Sequence, residues 1–163
     1  MNDKYVIPEG STIGHVHLKV SNLKQSLDFY CGLLGYELMT TYGDQAAFIA
    51  AGGYHHHIGL NVWHSKNAPP ADKHSVGLFH TAIVYPTRKD LAEIFKRLKE
   101  KGYPLTGAAD HGVSEALYLD DPDENGVELY WDRPREQWPK NADGSIHMYT
   151  RPLDLDTLLE ELL

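Results

Sequence analysis

The sequence has too little of several features that whole classes of protein require. Its 163 residues include a single cysteine, Cys31, so no disulfide can form within the chain. No apolar run reaches the roughly 18 residues of a membrane-spanning helix. The N-terminal segment MNDKYVIPEGS also lacks the basic and apolar regions of a secretion leader. We therefore expect a cytoplasmic protein with no membrane partner.

Basic residues are in the minority as well. The chain has 15 Lys and Arg against 23 Asp and Glu, which gives a formal net charge of −8. Because nucleic-acid grooves recruit clusters of Lys and Arg, no nucleic-acid partner is expected. An apolar fraction of 42% in 163 residues is enough for one well-buried core and too little for two ordinary domains. We expect one domain, residues 1–163.

A strand pattern, a helical pattern and a glycine follow one another twice along the chain. In the first copy Gly35 ends the helical pattern, and in the second copy Gly102 does so. Each copy then closes with two more strand patterns. The strand and helix that open each copy span residues 13–20 and 23–34, then 78–85 and 90–101; the closing strand patterns span 46–53 and 55–63, then 115–122 and 126–131.

The repeat predicts two tandem modules within the one domain. A polar, Pro-rich stretch reads as the connector between them. A final tail has a short helical pattern from Asp154 onward. The expected bounds are about 12–65 for the first module, 66–75 for the linker, about 76–134 for the second module and 135–163 for the tail.

Histidine is abundant, with ten residues in the chain, and it is the commonest metal ligand in proteins. His15 and His80 occupy equivalent places in the two opening strands. Glu128 lies in an apolar strand, where a buried carboxylate without a partner is costly. Two imidazoles and one carboxylate match the facial triad of non-haem Fe(II) sites. The repeat places Gly59 opposite Glu128, so a fourth protein ligand is absent, which favours an open catalytic site.

Four stretches carry a resemblance to a known family: GHVHLKV, YHHHIGLNVW, GLFHTAI and DHGVSEALYLDDPDENGVELYWDRP. They resemble the vicinal-oxygen-chelate superfamily and, within it, the type I extradiol ring-cleavage dioxygenases that are similar to catechol 2,3-dioxygenase. The resemblance implies an α+β fold in which two tandem βαβββ modules form a half-barrel or cleft, followed by a C-terminal extension. It further implies Fe(II), with Mn(II) as the alternative, a small aromatic diol and O2 as substrates, and a homodimer or higher homo-oligomer.

The same resemblance assigns roles to individual residues. The family's metal ligands fall on the three residues selected above, His15, His80 and Glu128. Its acid/base histidine falls on His56, with the neighbouring His55 and His57 left open as alternatives.

Three further residues are expected to line the substrate. In the family, a catalytic histidine and a catalytic tyrosine line the substrate. The resemblance places them at His111 and Tyr118. Without it, a loop histidine such as His111 is more often solvated, and a strand tyrosine is more often part of the core. His17 stands where some relatives carry a smaller polar residue beside the substrate, so it is a substrate-binding candidate.

Two other functions remain open on the same fold. A glyoxalase-type isomerase would use Ni(II) or Zn(II) as a Lewis acid, but such enzymes usually need the fourth ligand that Gly59 does not supply. A drug-binding dimer of the bleomycin-resistance kind would need no metal.

Full-length extradiol dioxygenases usually carry four modules, whereas this chain carries two.

Overall fold

The computed structural model describes residues 4–163 and shows two mixed β-sheets with few helices. Residues 1–3, which belong to the segment where no leader is expected, lie outside the described residues. Among residues 4–163, no helix is both long enough and apolar enough to cross a membrane. The strands are β1 (Val16–Lys19), β2 (Glu37–Tyr42), β3 (Ala46–Ala50), β4 (Ile58–Asn61), β5 (Thr81–Val84), β6 (Gly107–Asp110), β7 (Ser114–Asp120), β8 (Gly126–Asp132) and β9 (Arg151–Pro152).

The two sheets repeat one topology, which confirms the predicted α+β fold of tandem βαβββ modules. The first sheet has the strand order β1-β4-β3-β2, and the second has the order β5-β8-β7-β6-β9. In both sheets the opening strand lies parallel to the last strand of its module, and the other neighbours are antiparallel. The helices are α1 (Leu23–Leu27), a π-helix (Asp28–Leu33), α2 (Arg88–Glu100), a 3₁₀ turn (Arg135–Gln137) and α3 (Leu155–Glu160).

Strand register makes the two modules equivalent residue by residue. The first paired residues are Val16 and Ile58 in one sheet, and Thr81 and Val127 in the other. The residue before the opening pair is a histidine in both modules, His15 and His80 in sequence order. The residue after it on the closing strand is Gly59 in the first module and Glu128 in the second.

The first helix differs from the continuous α-helix that the sequence predicts. After Leu27 it widens into a π-helix, in which the N–H of Leu34 donates to the carbonyl of Phe29 at 2.9 Å. The wider turn lets the adjacent Phe29 and Tyr30 both face the core, where they are 3% and 0% exposed. Gly35 ends the helix as expected, with a φ of +89° that favours glycine.

A buried hydrogen bond joins the first helix to the β7–β8 hairpin. The Tyr30 hydroxyl donates to Asp121 at 3.0 Å, and the backbone N–H of Ser21 donates to Asp123 at 2.9 Å. Burial raises the pKa of Asp121, and the amide groups of Asn125 and its own hairpin partly offset that effect. The hairpin that carries β8 is thereby fixed against the first module.

The tail returns to the second sheet. Its β9 pairs with β6, and Asp154 caps α3 by accepting from two backbone N–H groups, as the helical pattern from Asp154 predicted. Leu158 is fully buried where α3 packs on the protein. Arg88 of α2 donates to the Thr157 carbonyl at 3.2 Å and to Glu161 at 2.8 Å. The tail is thus packed against the second module through both β9 and α3.

Candidate active site

Four of the predicted site residues form one continuous chain of contacts on the second sheet. His80 Nε2 lies 2.9 Å from one carboxylate oxygen of Glu128. The Tyr118 hydroxyl donates to the other carboxylate oxygen at 2.9 Å. His111 Nε2 lies 2.7 Å from the same hydroxyl oxygen. The carboxylate of Glu128 therefore connects a candidate metal ligand to two candidate substrate-lining groups.

Strand register brings these side chains together. Tyr118 of β7 lies directly opposite Glu128 of β8, so both side chains leave the same face of the sheet. Glu128 also lies opposite Ala82 of β5, two residues after His80. Gly126 permits the close approach of β8 to the residues before β5, because a Cβ there would collide with the backbone carbonyl of Phe79. The spacing of ten residues between Tyr118 and Glu128 is therefore the length of one antiparallel hairpin.

These side chains are largely shielded from solvent, and this affects the pKa of Tyr118. The Glu128 side chain is only 13% exposed, and that of His80 is 31% exposed. Burial, reinforced by the hydrogen bond to Glu128, raises the pKa of Tyr118. The hydroxyl thus stays protonated at neutral pH and acts as a donor.

The remaining predicted residues gather in a second group on the first sheet. The ring centroids of His15 and His56 are 4.4 Å apart, and Phe48 lies 5.2 Å from His56. The His17 ring lies 5.8 Å from Phe48 and 5.6 Å from Trp63. Burial, with a smaller effect of His15, lowers the pKa of both His17 and His56. Neutral imidazoles of this kind can accept a proton or bind a cation.

The three consecutive histidines of this group point to different partners. His56 is the one whose ring contacts His15. His57 Nδ1 accepts from the backbone N–H of Ala51 at 3.3 Å, so its ring is engaged with its own hairpin. His55 Nδ1 lies 2.7 Å from His56 Nδ1. Of the three, His56 is therefore placed beside a candidate metal ligand.

The structure brings two of the three predicted metal ligands together. In residues 4–163, no group of three or more His, Cys, Asp or Glu side chains is arranged so that it could hold a metal ion. The His80 and Glu128 pair still fits two positions of one cation, because its N and O atoms are 2.9 Å apart and metal bonds to such atoms are about 2.1 Å long. Within the described residues His80 Nδ1 is buried without a hydrogen-bond partner. The addition of His15 as third ligand stays a prediction.

Two aromatic residues of this site, Phe48 and Trp63, were not predicted from the sequence. Phe48 lies opposite Gly59 in the register of β3 and β4, and it contacts His17 and His56. Trp63 follows β4 and contacts His17. A glycine in the middle of a strand marks a close approach of another group, so Gly59 was the available signal.

The His17 ring packs directly against Gly59, which has no side chain. A Cβ at Gly59 would lie 2.9 Å from two ring atoms of His17. We expect Gly59→Ala to destabilise the protein by about 1–3 kcal/mol through this collision, measured by urea unfolding. In a His17→Ala background the same change should cost nothing, since an alanine suits a strand better than a glycine. An equal cost in both backgrounds would show that His17 does not occupy this space.

Comparison with known proteins places the chain in a family. The profile described as "Glyoxalase/Bleomycin resistance protein/Dioxygenase superfamily" matches residues 12–129. The chain is 40% identical over 156 residues to the catechol-2,3-dioxygenase of Bacillus subtilis (strain 168), covering 95% of this chain and 53% of that protein. It is 33% identical over 118 residues to biphenyl-2,3-diol 1,2-dioxygenase 2 of Rhodococcus globerulus, covering 72% of this chain and 61% of that one.

Solved structures show the same fold. A glyoxalase/dioxygenase from Nostoc punctiforme matches with a TM-score of 0.64 at 17% identity, covering 80% of this chain and 99% of that one. A glyoxylase/bleomycin resistance protein/dioxygenase domain from Frankia sp. EAN1pec matches with a TM-score of 0.61 at 22% identity, covering 77% and 94%. The chain belongs to the glyoxalase/bleomycin resistance protein/dioxygenase superfamily, as the sequence motifs indicated. It spans about half the length of the curated catechol-2,3-dioxygenase and about three fifths of the biphenyl-diol dioxygenase.

Proposed function

We propose that this chain is an extradiol dioxygenase that cleaves a catechol-like aromatic diol with O2. The observation that carries the proposal is the contact chain from His80 through Glu128 and Tyr118 to His111, which places two possible ligands beside two possible substrate contacts. The names of the similar curated proteins, a catechol dioxygenase and a biphenyl-diol dioxygenase, support it.

The proposed metal is Fe(II), with Mn(II) as the alternative, held by His15, His80 and Glu128. A divalent cation there would act as a Lewis acid toward the diol and would supply the electron transfer to O2 that the chain's own residues cannot. The buried carboxylate of Glu128 compensates the cation's charge. Because Gly59 supplies no second carboxylate, the protein would leave coordination positions of the cation unfilled.

The surrounding residues would orient the diol and move its protons. His56, whose pKa is lowered, is the proposed base that accepts a diol proton and later returns it. Tyr118 and His111 are proposed to hydrogen-bond the substrate oxygens and hold the ring in one orientation.

Flat side chains form the proposed wall beside the aromatic ring. The His17 ring contacts the rings of both Phe48 and Trp63. Planar rings stack or meet edge to face at such distances, so they suit an aromatic substrate better than a flexible one. Substitution of His17 is expected to change which ring substituents are accepted.

The test is oxygen uptake by the Fe(II)-loaded protein. With catechol we expect one O2 consumed per catechol and a yellow ring-opened product that contains both oxygen atoms. Hydroquinone is the matched control, because its two hydroxyl groups are too far apart to bind one cation, and it should give no uptake. Bound metal with no uptake across several catechols would contradict the dioxygenase and favour the isomerase. Absence of bound metal would contradict both enzymes and favour a binding protein.

A further inference from the structure

The C-terminal tail contacts the site at His111. The Nδ1 atom of this imidazole lies 3.0 Å from the backbone carbonyl oxygen of Tyr149 and 3.2 Å from the hydroxyl oxygen of Thr150. Its other nitrogen, Nε2, lies 2.7 Å from the Tyr118 hydroxyl oxygen. His111 thus bridges the tail and the chain of contacts that leads to Glu128.

The tail contact determines which nitrogen of His111 carries the hydrogen. The Tyr149 carbonyl oxygen can only accept a hydrogen bond, and it lies nearer to Nδ1 than the Thr150 hydroxyl, which can also accept, so Nδ1 is assigned as the donor. In the neutral imidazole only one nitrogen is protonated, and Nε2 is then an acceptor. The Tyr118 hydroxyl therefore has two acceptors within reach, His111 Nε2 at 2.7 Å and Glu128 at 2.9 Å, for its single hydrogen.

Contacts with Gly112 and Arg151 hold the Tyr149 side chain in place. Its ring packs against Gly112, where a Cβ would come within 2.7 Å of the ring. The guanidinium group of Arg151 lies 4.2 Å from the centre of the same ring, in cation–π geometry. Arg151 and Pro152 form β9 on the edge of the second sheet. The carbonyl that faces His111 is thus fixed by the residues on both sides of it.

We propose that the Tyr149–Thr150 segment is a positioning element that holds His111 as its Nδ1–H tautomer, with the Nε2 lone pair directed at Tyr118. In this state His111 Nε2 competes with Glu128 for the Tyr118 hydrogen, and when the hydrogen turns to His111 the Tyr118 oxygen can accept one from a neighbouring group. A bound diol that donates to Tyr118 then passes its proton to the Tyr118 oxygen as the Tyr118 hydrogen passes to His111: the diol O–H and the Tyr118 O–H bonds break, a new Tyr118 O–H bond and an Nε2–H bond form, and His111 becomes an imidazolium. This last consequence rests on the proposed function, whereas the tautomer does not.

The tautomer is measured directly by two-dimensional ¹H–¹⁵N NMR of the protein labelled with ¹⁵N-histidine, at a pH where the imidazoles are neutral. The signals of His111 are assigned by their loss in His111→Gln. The wild type should show the Nδ1–H tautomer, and Tyr149→Ala should shift His111 toward the Nε2–H form. A wild type in the Nε2–H form would overturn the proposal.

A pair of glycine variants separates tail position from backbone strain. Gly112 and Gly144 both have positive φ, +79° and +83°, but only Gly112 faces the Tyr149 ring, while Gly144 has open space. Gly112→Ala should therefore displace Tyr149 and change the tautomer, and Gly144→Ala should leave it as it is. Equal tautomer populations in the two variants would contradict the proposal.

Activity measured on the same samples gives the second readout. Tyr149→Ala should lower kcat with catechol about tenfold and leave KM nearly unchanged, since the tail orients a group and does not bind substrate. Lower kcat with an unchanged tautomer would overturn the positioning role. An inactive wild type that keeps the Nδ1–H tautomer would count against the proposed function and would support the tail's hold on His111.

Discussion

Glu128→Gln is expected to lose its bound Fe(II) and at least about 1,000-fold of its turnover of catechol. The amide keeps the shape of the side chain and can still accept the hydrogen bond of Tyr118, but it removes the negative charge that compensates the cation. A bound metal contributes several kcal/mol to such a reaction, and about 4 kcal/mol corresponds to this factor. Metal content is measured by elemental analysis after gel filtration, and turnover by oxygen uptake.

Asp132→Asn is the matched control for this variant. Asp132 lies on the same strand, four residues beyond Glu128, and burial, with a smaller effect of the Glu128 charge, raises the pKa of its carboxyl group. Within residues 4–163, the Asp132 side chain contacts neither His80 nor Tyr118. Asp132→Asn should therefore keep both metal and turnover. A Glu128→Gln protein that retains stoichiometric iron and normal activity would remove Glu128 from the metal site.

His56→Phe is expected to lower turnover by about 100-fold or more while leaving the iron content unchanged. General base catalysis by a positioned histidine accounts for about 100- to 10,000-fold in rate, and phenylalanine fills the same space without a proton acceptor. The His56 ring packs between those of His15 and Phe48, so the aromatic replacement preserves these contacts. Stopped-flow absorbance with catechol measures the rate of the chemical step.

His55→Phe distinguishes the two adjacent histidines. Its ring contacts those of Tyr54 and His56 and lies outside the contact with His15, so its replacement should cost far less activity. Full activity in His56→Phe, together with a large loss in His55→Phe, would assign the base to His55 instead. Loss of iron from His56→Phe would show that His56 supports the metal site and is not a base.

Six of the nine strands in the described residues were predictable from the sequence, and β2, β6 and the two-residue β9 were not. Alternation or apolar runs marked β1, β3, β4, β5, β7 and β8. Tyr118 and Glu128 lie within β7 and β8, and His15 and His80 directly precede β1 and β5. All six residues of β2 are exposed, so this edge strand has no buried face that could produce a pattern. The strand β6 consists of Gly-Ala-Ala-Asp, small residues with low strand preference, and it forms through pairing with β7 and β9.

The candidate site was predictable where the repeat or the family motif reached it. The repeat identified His15 and His80, and register bears out that these positions are equivalent. The contact between His111 and Tyr149 joins residues 38 apart, through a tail that has no counterpart in either module. Such a contact depends on how the tail docks, which no local pattern specifies.

One cation is proposed to bind His15, His80 and Glu128, although the structure places His15 beside His56 and His80 beside Glu128. The most direct test is anaerobic titration of the apoprotein with Fe(II), with calorimetry as the readout. It compares the wild type with His15→Ala and His80→Ala. We expect one Fe(II) per chain in the wild type, and equally large losses of affinity in the two variants. Wild-type affinity in His15→Ala would contradict the account.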